Sequence, residues 1–416
     1  MNVQPLDEPK AGPAVLEVSW QLRAALCVCW IASLAMGAVK VVTALGRDPG
    51  RPLIFDFHAF MIAGQATWAG HMARVYDGQT MLGLEQQAGG HPVFMPWNYP
   101  PLFGLVLAPF AQLPMPLAFC LFASACFGLF FLALRRLAPG FAWLVLATLG
   151  PCTIVNLASG QNGFLTGALF ALAASAFVRR KPGQGGVAIG ALAFKPHMAV
   201  VWPVLLAIKG RWATIAIAGA VAVALTGASF LAVGPEPFKG FVAASGQMGR
   251  NMAAGYYMLH RMTSLYASAR SFGLPTGVAM TVHLAVLAGV LTGMVRVGRR
   301  LPEPAQAGLA IMSTVFLSPY FYDYDQPLFG VGLALVLPEL AARTTRRELG
   351  FMLAAVAASQ AAGLPMSNPA FRPSIGGLLL LGAVYLMLKA LAQAPARREA
   401  PAAGPAPSAA AAIGVA

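Results

Sequence analysis

Long apolar runs separated by short polar segments dominate the chain. Ten of them, at 24–45, 117–134, 141–157, 164–178, 213–233, 276–297, 305–317, 327–340, 349–363 and 375–391, have no strand-like alternation. Runs of about 17–22 apolar residues recur, enough to cross a hydrocarbon core about 30 Å thick as helices. A membrane barrel would show short alternating strands instead. The pattern predicts an all-α polytopic membrane protein with about ten full transmembrane helices. Two apolar pieces do not read as full crossings. Segment 100–113 is short and proline-rich, and segment 187–208 is interrupted by Phe194, Lys195, Pro196 and His197. The first is expected to stay on the outer side, and the second to enter the membrane and return.

Basic residues set the orientation. Arg135/Arg136, Arg179/Arg180/Lys181, Lys209/Arg211, Arg296/Arg299/Arg300 and Arg343/Arg346/Arg347 lie in short connections and are expected on the cytoplasmic side. Both termini are then cytoplasmic. Loops 46–116, 158–163, 234–275 and 318–326 gather outside, in a multi-pass protein. The domain reading is a cytoplasmic segment 1–23, a membrane domain 24–393 with interfacial helices in loop 46–116, and a disordered Ala/Pro-rich tail 394–416. Asp7, Glu8 and Glu17 spoil the basic start of a cleaved signal peptide.

Composition agrees with this class: 58% of residues are hydrophobic and 10% charged, with mean hydropathy +0.68. The net charge of +14 is read as topological bias, with no nucleic-acid partner. Cys27, Cys29, Cys120, Cys126 and Cys152 lie within or beside apolar runs without metal-ligand spacing. There is neither a phosphate-cradling glycine loop nor a dinucleotide fingerprint, which counts against a nucleotide-sugar enzyme or an ATP-driven pump.

The outer loops carry the candidate chemistry. Asp56 follows the first span and begins a segment in which Phe57, Phe60, Met61, Gly64 and Trp68 share one helical face, with His58 and Gln65 on another. That pattern predicts a helix lying in the interface plane; its plainer alternative is a covering lid, and that of Asp56 is a helix N-cap. Lys195 interrupts an apolar stretch, a costly placement that signals function, against the alternative of a snorkelling side chain. Arg250, Arg261 and Arg270 make an outer loop basic, against the orientation bias. Asp323 and Asp325 flank Tyr324 and could bind sugar hydroxyls, cap a helix or hold a divalent cation; no further ligand accompanies them. Gln161 and Asn162 form a turn between two spans.

Asp56-Phe57, Val75-Tyr76-Asp77, Tyr99-Pro100-Pro101-Leu102, Gly160-Gln161-Asn162, Lys195-Pro196-His197 before Arg211-Trp212, and Ser318-Pro319-Tyr320 occur in this order. In that order they resemble glycosyltransferase family 87 of the GT-C superfamily, which uses polyprenyl phosphate sugars and includes bacterial α-mannosyltransferases. The resemblance implies a GT-C-type bundle with re-entrant and interfacial helices. It also implies transfer of a sugar, mannose first, from a polyprenyl phosphate donor to a lipid or glycan acceptor among membrane lipids. Asp56 maps onto the family's proposed catalytic base. The acidic stretch Tyr322-Asp323-Tyr324-Asp325 departs from the Trp/His-type sequence of many members. The expected substrate-binding set is His58, Tyr99, Gln161, Asn162, Lys195, His197, Arg261, Tyr320, Asp323 and Asp325, with no metal ligand and no cofactor. The competing class is a transporter or flippase of lipid-linked sugars, since broken helices and intramembrane charge occur there too.

Overall fold

In a computed structural model, residues 19–45, 56–89, 95–363 and 373–395 are described. Most of segment 1–23 and nearly all of the tail 394–416 lie outside them. Every named element among the described residues is helical, and the strand-like pairing is limited to one bridge between Met262 and Tyr322. The fold is all-α.

After α1 (Trp20–Leu45) come three helices of the first long loop, α2 (Asp56–Trp68), α3 (Gly78–Gly89) and α4 (Pro101–Leu107). Then follow α5 (Met115–Leu137), α6 (Ala142–Thr148), α7 (Gly150–Ser159), α8 (Gly163–Val178), α9 (Pro182–Gly190) and α10 (Val201–Ile208). The second half contains α11 (Trp212–Val233), α12 (Glu236–Ala253), α13 (Leu265–Ser271), α14 (Thr276–Gly298), α15 (Glu303–Leu317), α16 (Pro327–Ala341), α17 (Arg346–Ala361) and α18 (Gly376–Leu391). All ten apolar runs of the sequence coincide with helix.

Helices α5, α11 and α14, of 23, 22 and 23 residues, are long and apolar enough to cross a membrane. At 1.5 Å per residue they extend roughly 33–35 Å. The run 141–157 is not one straight span: it bends by 73° between α6 and α7. Pro151 sits in the first turn of α7, where it lacks an N–H and its ring collides with the carbonyl four residues back, so a straight helix cannot continue through it.

The core is built around α16, buried along nearly its whole length from Pro327 to Leu337. It is flanked by α15 and α8. Gly308 and Gly332 bring α15 and α16 together: a Cβ on either would lie 2.7 or 2.6 Å from the other's carbonyl oxygen. Close backbone approach through small residues is a common way for membrane helices to gain contact.

The segment around Lys195 is a hairpin. Helix α9 runs back along α8 and continues through the 3₁₀ turn Ala191–Phe194; a second turn, Pro196–Met198, leads into α10. Its ends meet again, because Arg180 before α9 and Arg211 after α10 both pair with Glu303. Arg179 also reaches the carbonyl of Arg136, and Lys209 reaches Gln306. Several of the basic connections therefore converge on one end of the bundle, while the hairpin tip reaches Asn162 at the other end of α8.

Helix α2 is buried more widely than its amphipathic pattern predicts. Phe57, Ala59, Phe60, Met61, Ile62, Ala63, Gly64 and Thr67 are all buried, whereas Trp68 is exposed. Helix α4 and the following turn Phe110–Gln112 pack on the Phe60 and Gly64 side, while Gln65 stays exposed. A Cβ on Gly64 would lie 2.9 Å from the Leu107 carbonyl oxygen. The helix is thus an internal element that fixes Asp56 at its first residue.

Candidate active site

The site forms where the start of α2 meets the α7–α8, hairpin, α12–α13 and α15–α16 connections. Asp56 opens α2 and is partly buried. Gln161, Ser159 and the charge of Arg261 all act on its carboxyl, and the Ser159 hydroxyl donates to the Val155 carbonyl at 2.6 Å. Burial raises the Asp56 carboxyl above its ordinary 3.8, with Arg261, Gln161 and Ser159 acting in the lowering direction. A carboxylate so placed holds a proton more readily than one in water.

Two buried ion pairs face it. Arg261 Nε and Nη2 donate to the two carboxylate oxygens of Asp323 at 3.0 and 2.9 Å, a forked geometry that lysine cannot provide. Burial opposes the charge on Arg261, but Asp323 outweighs it and holds the guanidinium firmly protonated. Lys195 Nζ lies 2.5 Å from Asp325 Oδ1 and 3.3 Å from Asn162 Oδ1. Each pair leaves donors in hand, Nη1 on Arg261 and one N–H on Lys195.

A row of tyrosines links the pairs. Ring centroids of Tyr257 and Tyr320, Tyr320 and Tyr322, and Tyr322 and Tyr324 are 4.9, 5.0 and 5.1 Å apart. The Arg261 guanidinium is 6.0 Å from the Tyr322 and Tyr324 rings, and Lys195 Nζ is 5.6 Å from that of Tyr324, within cation–π range. Tyr99 senses the charges of both Asp325 and Asp56 and lies next to Asn162. Its carbonyl accepts the Tyr76 hydroxyl at 2.7 Å.

Backbone geometry explains the turn residues. Gly160 adopts φ +67°, the left-handed C-terminal position that glycine tolerates best. Gly163 is needed for space, because a Cβ there would lie 1.8 Å from the Tyr324 carbonyl oxygen. That carbonyl is held by Asn156, whose amide donates to it and to the Cys152 carbonyl, both at 2.9 Å; Asn156 Oδ1 accepts the Gly163 N–H at 3.1 Å.

Of the sequence-selected residues, Asp56, Tyr99, Gln161, Asn162, Lys195, Arg261, Asp323 and Asp325 converge here, and Tyr320 joins through the tyrosine row. His58 lies two residues into α2 and is half-buried, whereas His197 is exposed beside Lys195. Arg250 and Arg270 are engaged elsewhere, with Gln247 and with the Leu274 and Ala253 carbonyls. Asn156, Ser159 and the Tyr322–Tyr324 stack were not singled out from sequence. An amide inside an apolar run is the signal that marks Asn156, since such groups need partners there. Among the described residues no three His, Cys, Asp or Glu side chains form a group that could hold a metal ion.

The profile of Glycosyltransferase family 87 matches residues 97–319, over half of the chain. No curated protein and no solved structure matches it. Apolar helices and this match define a membrane glycosyltransferase. The chain belongs to glycosyltransferase family 87. Asp56, Asp323 and Asp325 lie outside the matched segment, so their grouping rests on the geometry above.

Proposed function

We propose that the protein transfers a sugar, mannose first, from a polyprenyl phosphate carrier to a hydroxyl of a lipid or glycan acceptor, with Asp56 as the general base. One observation carries this reading. Of the three carboxylates in the site, Asp323 and Asp325 are each matched by a cation in a salt bridge, while among the described residues Asp56 has no salt bridge and is influenced by the neutral side chains of Gln161 and Ser159.

The acceptor hydroxyl gives its proton to Asp56 as its oxygen attacks the anomeric carbon. The bond from that carbon to the phosphate oxygen breaks on the opposite face, its electron pair leaves with the polyprenyl phosphate, and the configuration inverts. A phosphate monoester leaves without protonation, so the second carboxyl group that glycoside hydrolysis needs is not required. The remaining donors of Arg261 and Lys195 are suited to stabilise the departing charge. The tyrosine row offers ring edges and hydroxyls to a sugar.

We place the site on the outer face of a bacterial inner membrane, with both termini in the cytoplasm. Residues 24–393 form one GT-C-type catalytic unit with about ten crossings, the shorter apolar helices completing the count.

The test is transfer from a synthetic polyprenyl phosphate sugar by purified Asp56→Asn protein. Asn keeps size and capping ability but cannot accept the proton, so turnover should fall about 10²–10⁴-fold in a folded protein. Near-normal turnover would remove Asp56 from the chemistry.

A further inference from the structure

At the other end of α8, its 16 residues or roughly 24 Å from Asn162, a cavity of about 200 Å³ opens between α8, α9, α10 and α11. Phe177, Ile189, Trp202 and Leu206 form its apolar walls, and Arg180, Lys181 and Arg211 stand at its basic mouth. Arg211 is fixed: its guanidinium lies 3.8 Å over the Phe177 ring and donates to the Phe177 carbonyl. It shares Glu303 with Arg180, at 2.5 and 3.0 Å, so two cations share one carboxylate. Ile208 and Trp212, at 75% and 65% exposure, put an apolar and aromatic rim beside the charges, as expected at a membrane–water boundary.

Backbone strain supplies an independent sign. Arg180 has φ +53°, and among the described residues it is the sole non-glycine with positive φ. Its N–H reaches the Phe177 carbonyl and the next N–H, of Lys181, reaches that of Ala176. This is the pair of bonds that closes a helix through a left-handed residue, a position that glycine fills at least cost. An arginine kept in a strained position at a cavity mouth points to a use for its charge.

We infer that this cavity binds a phosphate-headed lipid, its phosphate over Arg180, Lys181 and Arg211 and an alkyl chain against Trp202 and Leu206. Basic pockets between membrane helices recognise anionic headgroups in this way. The ligand's source is either an anionic phospholipid of the bilayer or a polyprenyl phosphate, and the site is separate from Asp56 and does not depend on its role.

Native mass spectrometry of the full chain in detergent measures retention of dioleoyl phosphatidylglycerol, a polyprenyl monophosphate and, as the phosphate-free control, dioleoylglycerol. The variants are Arg180→Gly, which removes the cation and relieves the backbone, and Arg180→Gly with Lys181→Glu. A thermal midpoint of Arg180→Gly at or above the parent's, measured without added lipid, establishes that the fold is intact. Loss of a charged hydrogen bond should weaken one bound phosphate lipid about tenfold, with dioleoylglycerol unaffected. Weakening of phosphatidylglycerol alone assigns the site to bilayer lipid; weakening of the polyprenyl phosphate assigns it to the carrier. Unchanged retention of both in the double variant overturns the proposal.

Discussion

Arg261 holds Asp323 through two parallel hydrogen bonds, at 3.0 and 2.9 Å, while its charge also bears on Asp56. One guanidinium thus serves two carboxylates in different ways. Asp323 fixes its geometry and keeps it charged, and through that charge Arg261 limits how far burial can raise Asp56. The proposed base and the cation proposed to stabilise a departing phosphate are therefore coupled.

That coupling has a pH signature. Asp56 must be ionised to accept a proton, and its carboxyl is raised above 3.8 by burial. Activity should therefore fall, as pH is lowered, through a value above the ordinary aspartate range. Arg261→Gln removes the largest lowering influence on Asp56 and frees the negative charge of Asp323; both effects push Asp56 further up. The acid limb of the kcat/KM profile should move to higher pH, while Arg261→Lys, which keeps the charge, should move it less. A limb that stays in place in Arg261→Gln would separate Arg261 from Asp56.

The Lys195–Asp325 pair is almost sealed, with side-chain exposures of 6% and 2%. Removing one member strands the other charge, at a cost of about 3–5 kcal/mol, whereas replacing both by apolar groups is often close to neutral. Thermal melts in one detergent should show Lys195→Met and Asp325→Leu each strongly destabilised and the double variant largely restored. Activity should not return with stability if Lys195 also serves the donor phosphate. Recovery of normal turnover in the double variant would reduce the pair to a structural role.

Much of the helical layout is visible in the chain because a membrane helix must satisfy its own backbone, leaving long apolar runs as a direct trace. Pro151 was hidden by its apolar neighbours, so the bend between α6 and α7 was not. Helix α2 reads as amphipathic because Gln65 and His58 interrupt it, and Gln65 is exposed, but Ala59, Ile62 and Ala63, outside the apolar face of the pattern, are buried as well. Asp56, Lys195 and Arg261 stand out as charges in unlikely places. Their partners do not: 130 positions separate Lys195 from Asp325 and 62 separate Arg261 from Asp323. Pairing at such distances is a product of packing, which local pattern does not encode.

Topology is open to direct labelling. Arg179 reaches the Arg136 carbonyl and Arg180 and Arg211 share Glu303, so these connections lie together at the end of α8 remote from Asn162. In a background lacking the five native cysteines, a cysteine at Arg179 or Arg346 should react with an impermeant maleimide only after the cytoplasmic face is opened. One at Tyr256, which is exposed and in the loop proposed to lie outside, should react in intact spheroplasts. Labelling of Arg179 or Arg346 from outside would invert the proposed orientation.

The sharpest steric prediction concerns Gly163. Its Cα faces the Tyr324 carbonyl so closely that a methyl group would sit 1.8 Å from that oxygen, far inside van der Waals contact. The oxygen cannot simply yield, because Asn156 grips it while bonding the Gly163 N–H. In Gly163→Ala the 3₁₀ turn carrying Asp323 and Asp325 must therefore shift against α8. A displacement near 1 Å at a reacting site can cost about 10²-fold in rate, so kcat in the transfer assay should fall on that order. Asn156→Leu removes the grip without adding the clash; it should cost less in rate, and Gly163→Ala should be better tolerated in its presence. Gly83→Ala, where nothing lies within 4 Å, is the control and should behave as the parent. Unchanged kcat in Gly163→Ala would mean that the turn can move without consequence, and that Asp323 and Asp325 do not position the reaction.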